Sequence, residues 1–266
     1  MILEHQGRRP RLHPSAYVAP TAVVCGDVVV GENTRILFGA VITAESGSIE
    51  IGSQCVIMEN AVVRASSRHP VRIGNHVLVG PHAHLTGCTV EDDVFIATGA
   101  SIFTLARLGA RSAVRINGIV HVRSVLPPDA TVPIGWVAVG DPVQMFPTAE
   151  HEKIWQVLKP LHCPRTVFGL ERPAPGETLM PQLTRRYTRA LALHNDDRLA
   201  GWLNQGLLFL GKKAVARDCC RERELVRPAV TRSGPHHITA AKHPAIYLAG
   251  DLFRHFKNQF QVGILW

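Results

Sequence analysis

An aliphatic residue recurs every six positions through the first half of the chain, and that period excludes most folds. From Val18 the steps land on Val24, Val30, Ile36 and Ile42; after SGSIE they resume at Ile51, Ile57 and Val63. After ASSRHPVR they resume at Ile73, Val79 and Leu85, and one step of five leads to Val90, Ile96, Ile102, Leu108, Val114 and Val120. A helix would repeat near 3.6 and a half-buried strand near 2. A six-residue step fits a triangular coil, in which three short strands each turn one aliphatic side chain inward. Small residues precede many of these positions by two (Ala22, Thr34, Ala40, Cys55, Ala61, Ala83, Ala100, Ala106), as tight corners require. Gly often follows, as in VGEN, IGSQ and IGNH. Parallel pairing stacks such coils about 4.8 Å apart, so about six coils make a prism on the order of 30 Å long.

The two interruptions read as corner loops, at 46–50 and 65–72. Placing the second inside one coil stacks Ile51 under Ile73, Ile57 under Val79 and Val63 under Leu85. Two outward columns follow from that register: Arg64, Thr86, Phe103, His121 on one face, and Glu59, Pro81, Thr98, Ile116 beside it. The expected organisation is an all-β main domain over 14–147, a parallel β-helix, followed by a helical segment over 148–199 and a basic tail over 200–266. In the helical segment Ile154, Val157 and Leu158 share one face ahead of Pro160, and Leu183, Tyr187, Ala190 and Leu191 form a second stripe near 181–194.

Composition narrows the function classes. Apolar residues make up 46% of the 266 and charged residues 19%, which is a folded chain and not a disordered one. No apolar run reaches the roughly 18 residues of a membrane-crossing helix, and no secretory leader is visible at the N-terminus, so neither is expected. Six cysteines, among them the adjacent Cys219 and Cys220, form no C-x-x-C pair. That usage fits a reducing, cytoplasmic setting better than a disulfide scaffold. The net charge of +8 sits mostly in residues 200–266, with ten Lys/Arg against four Asp/Glu. The main body lacks a basic stripe interleaved with aromatics, so nucleic acid is not an expected partner.

The runs IGSQCVIMENAVVR, HPVRIGNHVLVGPHAHLTGCTVEDDVFIATGASIF and GWVAVGDPVQMF resemble the gamma-class carbonic anhydrases and their hexapeptide-repeat relatives, over roughly 14–160. The resemblance implies a left-handed β-helix, a homotrimer, and a C-terminal helix packed on the prism. It also implies zinc between subunits, held by three histidines that leave one position for water. In this sequence those three positions are Arg64, Pro81 and Thr86. The family's Arg and Asp after the second coil become Thr43 and Glu45, and its Gln-Asp becomes Met58 and Glu59.

Glu59, Arg64, Thr86 and His121 are therefore the candidate catalytic residues, with Arg64 and Glu59 expected as an ion pair. His82 and His84, next to the vacated positions and spaced i, i+2 as on one side of a strand, are the candidate metal ligands. No resident cofactor is expected at the ordinary site, and zinc enters only through that rearranged pair. His69 and His76 fall in a loop and a turn. The resemblance leaves room for a small-molecule substrate. Its main reading is a carbonic-anhydrase-like protein with altered or lost carbon dioxide hydration. Two alternatives stay open: acyl transfer from acyl-CoA, though Val143 and Gln144 replace the Ala and cation of the usual closing segment, and a trimeric scaffold without catalysis.

Overall fold

In a computed structural model, which describes residues 1–174 and 176–201, the hexads wind into a left-handed parallel β-helix. One face is a seven-stranded parallel sheet that runs from Tyr17–Val18 to Thr131–Val132. The other two faces join through the long strand Val41–Ile51, which pairs with Val62–Ala65 at one end and Val71–Ile73 at the other. The expected register is the observed one: Ile51 pairs with Ile73, Ile57 with Val79, and Val63 with Leu85. Each inward aliphatic residue from Val24 to Val132 is buried, and the small residues two positions earlier are fully enclosed. At about 25 cal/mol per Å² of apolar surface, this continuous column is the main favourable term in holding the coils together.

Two columns of corner residues with positive φ explain the polar residues found at these turns. One runs Gly39, Asn60, His82, Gly99, Asn117, Gly135, all with positive φ. Another holds Asn33, Gln54, His76, Asp93, Arg111 and Asp129, also with positive φ. Gly and Asn accept that conformation most readily, and the other side chains occupy it because the stacked neighbours fix it.

Two expectations about organisation need correcting. SGSIE is only in part an expelled loop: residues 41–51 form one strand, in which 45–48 bulge opposite Asp27 alone while Ile49 and Glu50 pair with Val28 and Val29. The second interruption is a short excursion closed by paired Ser66 and His69. Parallel pairing also reaches ahead of residue 14, where no hexad is legible, because Ile2–Glu4 and Arg11–Leu12 both pair with Val23–Val30.

The helices are α1, His151–Leu158, and α2, Met180–Leu191. Ile154 and Leu158 of α1 pack on Val137 and Val139, covering the last coil. Of the expected α2 stripe only Leu183 is buried; Tyr187 and Leu191 are each 38% exposed. A last strand, Arg198–Gly201, runs antiparallel to Ile2–Glu4. From residue 202 the expected basic tail lies outside the described residues.

Candidate functional site

Five successive rungs of one face carry the outward column. Thr43, Arg64 and Thr86 stand side by side in the ladder. The column continues through Phe103 to His121, whose rings stack with centroids 5.3 Å apart. His84 points outward from the rung of Leu85, with its Nε2 3.2 Å from the Thr86 hydroxyl and its ring edge-on to Phe103 at 6.4 Å. Arg64 is thus on the rung next to His84 and Thr86, and His121 stands two rungs beyond them, with Phe103 between.

Glu59 and His82 are placed otherwise. Both lie in corner turns, linked only by the backbone bond from the His82 amide to the Glu59 carbonyl (3.0 Å). The strand argument for His82 and His84 fails for this reason: His82 takes the left-handed slot also held by Asn60 and Gly99, and the strand begins at His84. The ion pair of Arg64 is with Glu45, not Glu59. Its guanidinium also lies over the Tyr187 ring of α2, 5.9 Å from the centroid. Glu45 and Tyr187 border an open cleft of about 160 Å³ together with Ser66, Arg68 and Phe168. Tyr187 had no sequence signal as a site residue, because a hydrophobic stripe on a helix says nothing about which face of the prism it meets.

Electrostatics limits what these groups can do. Burial pushes the His121 imidazolium pKa from the ordinary 6.5 down to about 4. The Val122 amide donates to His121 Nδ1 at 2.8 Å, so the neutral ring carries its hydrogen on Nε2. His121 offers the face a donor, not a base. The His84 pKa is also lowered, first by burial and then by the Arg64 charge. Two neutral imidazoles, a hydroxyl and a guanidinium already paired with a carboxylate make a polar face suited to hydrogen bonding. Within the single chain, among the described residues, His82, His84 and His121 do not converge as a group able to grip one ion.

Similarity to known proteins follows the coils. Over 153 residues the chain is 31% identical to "Gamma carbonic anhydrase 1, mitochondrial" of Arabidopsis thaliana, which is 55% of this chain and 54% of that protein. It is 32% identical over 109 residues to "Carbonic anhydrase" of Geobacillus kaustophilus, 41% of this chain and 60% of that one. The chain spans about half the length of the curated relatives it matches. A putative acetyltransferase of Bacillus cereus overlays with a TM-score of 0.48 at 25% identity, covering 60% of this chain and 91% of that one. No protein-family profile matches the chain. The hexads and the coil register make the chain a hexapeptide-repeat β-helix, and its sequence is similar to that of gamma carbonic anhydrases over about half of its length.

Proposed function

We propose that this is a gamma-carbonic-anhydrase-like protein in which carbon dioxide hydration is altered or lost. The reading rests on one observation: Arg64, at the position the resemblance gives to the first zinc histidine, is held in an ion pair by Glu45. A fixed cation there repels a metal ion, Pro81 has no donor atom, and a Thr86 hydroxyl is a poor zinc ligand beside imidazole. The residues do not fit the family's zinc. Arg64, Thr86 and His121 then serve a polar surface, with Arg64 and Thr86 the groups able to meet a small anionic or polar molecule, and Glu59 stands on the neighbouring corner. Acyl transfer would need a histidine with a free lone pair as base; the His121 tautomer weighs against it.

A homotrimer belongs to the same proposal. The corner column Phe38, Glu59, Pro81, Thr98, Ile116, Ile134 carries three large apolar side chains that are 52%, 47% and 66% exposed (Phe38, Ile116 and Ile134). Ile116 and Ile134 are neighbours on this edge and Phe38 lies four rungs along it, an exposed apolar edge that a second copy would cover. The thiols of Cys25, Cys55, Cys88 and Cys163 are free, which is in keeping with a reducing compartment, and the cytoplasm is the compartment we propose. Among the described residues no helix is long and apolar enough to cross a membrane.

Stopped-flow measurement of carbon dioxide hydration, on protein supplied with excess zinc, tests the chemistry. The expected rate is that of buffer with zinc alone. The combined substitution Arg64→His, Pro81→His and Thr86→His should introduce a zinc-dependent rate, small because Thr43 and Met58 stay unsuited to orient the ligands. A zinc-dependent rate in the unsubstituted protein, abolished by His84→Ala, overturns the proposal.

A further inference from the structure

One rung below Thr43 on the same face, where Cys25 pairs with it, four side chains of metal-ligating type converge: His5, Cys25, His194 and Asp197, with their donor atoms all within 4.8 Å of one another. Cys25 comes from strand Val23–Val30, His5 follows strand Ile2–Glu4, and His194 and Asp197 lie in the turn between α2 and strand Arg198–Gly201. Asp197 is the hub. Its two carboxylate oxygens face His5 Nδ1 at 2.5 Å and His194 Nδ1 at 2.8 Å, and Cys25 Sγ lies 3.7 Å from Oδ2. The two imidazoles stack with centroids 4.3 Å apart. His5 is 2% exposed and Asp197 15%, so the group is enclosed and not a solvated surface cluster.

We propose that these four residues form a structural zinc site that shares no ligand with the carbonic-anhydrase positions Arg64, Pro81 and Thr86. Two imidazoles, one thiolate and one carboxylate are a donor set for a borderline-soft ion with tetrahedral preference, not for Mg²⁺ or Ca²⁺. Tetrahedral zinc with bonds near 2.1–2.3 Å separates its ligand atoms by about 3.4–3.8 Å. The Cys25–Asp197 separation already matches. The histidine–carboxylate contacts must open by under about 1 Å as the ion replaces the shared protons. Gln6 is placed to support the ligand: its side-chain amide is 2.9 Å from His5 Nε2. Once Nδ1 binds metal and Nε2 carries the hydrogen, the amide can present its oxygen instead, as partners of zinc-bound histidines do. With four protein ligands the site has no open position, so its role is to hold the chain together. It clamps the segment 194–201 onto the first coil, where that segment's only other described strand partner is Ile2–Glu4.

The test uses the full chain, with Zn²⁺ and Co²⁺ as the probes. After equilibration with micromolar zinc and gel filtration, about one zinc per chain is expected. Cobalt in its place should show a thiolate-to-cobalt absorption band that Cys25→Ser removes. His194→Ala, at the partly exposed edge, should weaken zinc binding at least about tenfold while the circular dichroism of the β-helix is unchanged. Should Cys25→Ser fail to fold, Asp197→Asn and His194→Ala carry the test. The proposal is overturned if zinc stays well below one per chain, if the cobalt spectrum lacks a thiolate band, or if binding survives His194→Ala and Asp197→Asn. Zinc that is lost instead on His82→Ala or His84→Ala also overturns it. Carbon dioxide hydration is measured separately, so the earlier proposal can fail while this one stands.

Discussion

His121 links packing to a measurable pH dependence. Its imidazole is largely removed from water and stacked on Phe103, so the charged form is disfavoured and its pKa falls to about 4. Above pH 6.5 the ring is neutral whether the chain is folded or unfolded, and its titration costs nothing. Below that, the unfolded chain takes up a proton that the folded chain refuses. Stability therefore falls as pH drops from 6.5 toward 4, by about 2–3 kcal/mol for this group. The lowered pKa values of His84 and His69 act in the same direction. Urea unfolding at pH 7 and pH 4.5 should show this loss, with His121→Gln removing most of one proton's share. A urea midpoint equally acid-sensitive in His121→Gln would place the proton elsewhere.

The coils show which parts of a fold a sequence displays. The core column and the corners are legible because each is set by its own six residues: an aliphatic position, a small one before it, a Gly or Asn at the turn. The glycines after Val30, Ile51 and Ile73 have a steric reason. A Cβ on Gly52 would lie 2.5 Å from the Gly74 carbonyl oxygen, and one on Gly31 would lie 2.6 Å from the Gly52 carbonyl carbon. Gly52→Ala should thus cost on the order of 1–3 kcal/mol, because stacked backbone cannot give way as a flexible side chain would. Thermal unfolding within a degree of the unsubstituted protein would show that the coils separate more easily than this spacing implies. Other features were not legible. SGSIE has the small, polar composition of a loop, and only the register shift near Gly26 lets it continue as strand. Arg64 found Glu45 because parallel pairing puts Thr43 and Ala44 beside Arg64 and Ala65, whereas Glu59 is drawn into the corner. His5 and Asp197 are 192 positions apart, so no local spacing could have joined them.

By its internal contacts the molecule divides into Met1–Gln205 and Gly206–Trp266. The first unit carries every described strand, and its closing strand Arg198–Gly201 pairs with Ile2–Glu4. The expected boundary at 199 would cut that strand, so the domain we propose ends after Gln205. A chain ending there should keep its melting temperature within a few degrees, whereas one ending at residue 190 loses both the strand and the His194–Asp197 pair. Assembly is the remaining property of the whole molecule. Phe38, Ile116 and Ile134 lie on one corner column, and a monomer would leave this stripe in water at a cost that association removes. Light scattering at micromolar concentration should return about three times the 29.1 kDa chain mass. Replacing Ile116 and Ile134 together by Glu puts two like charges on each copy of the stripe and should return the monomer mass with the β-sheet circular dichroism retained. If the substituted protein stays trimeric, the contact lies on another face; if the unsubstituted protein is already a monomer, the stripe has another use and the polar face around Arg64 must work within one chain.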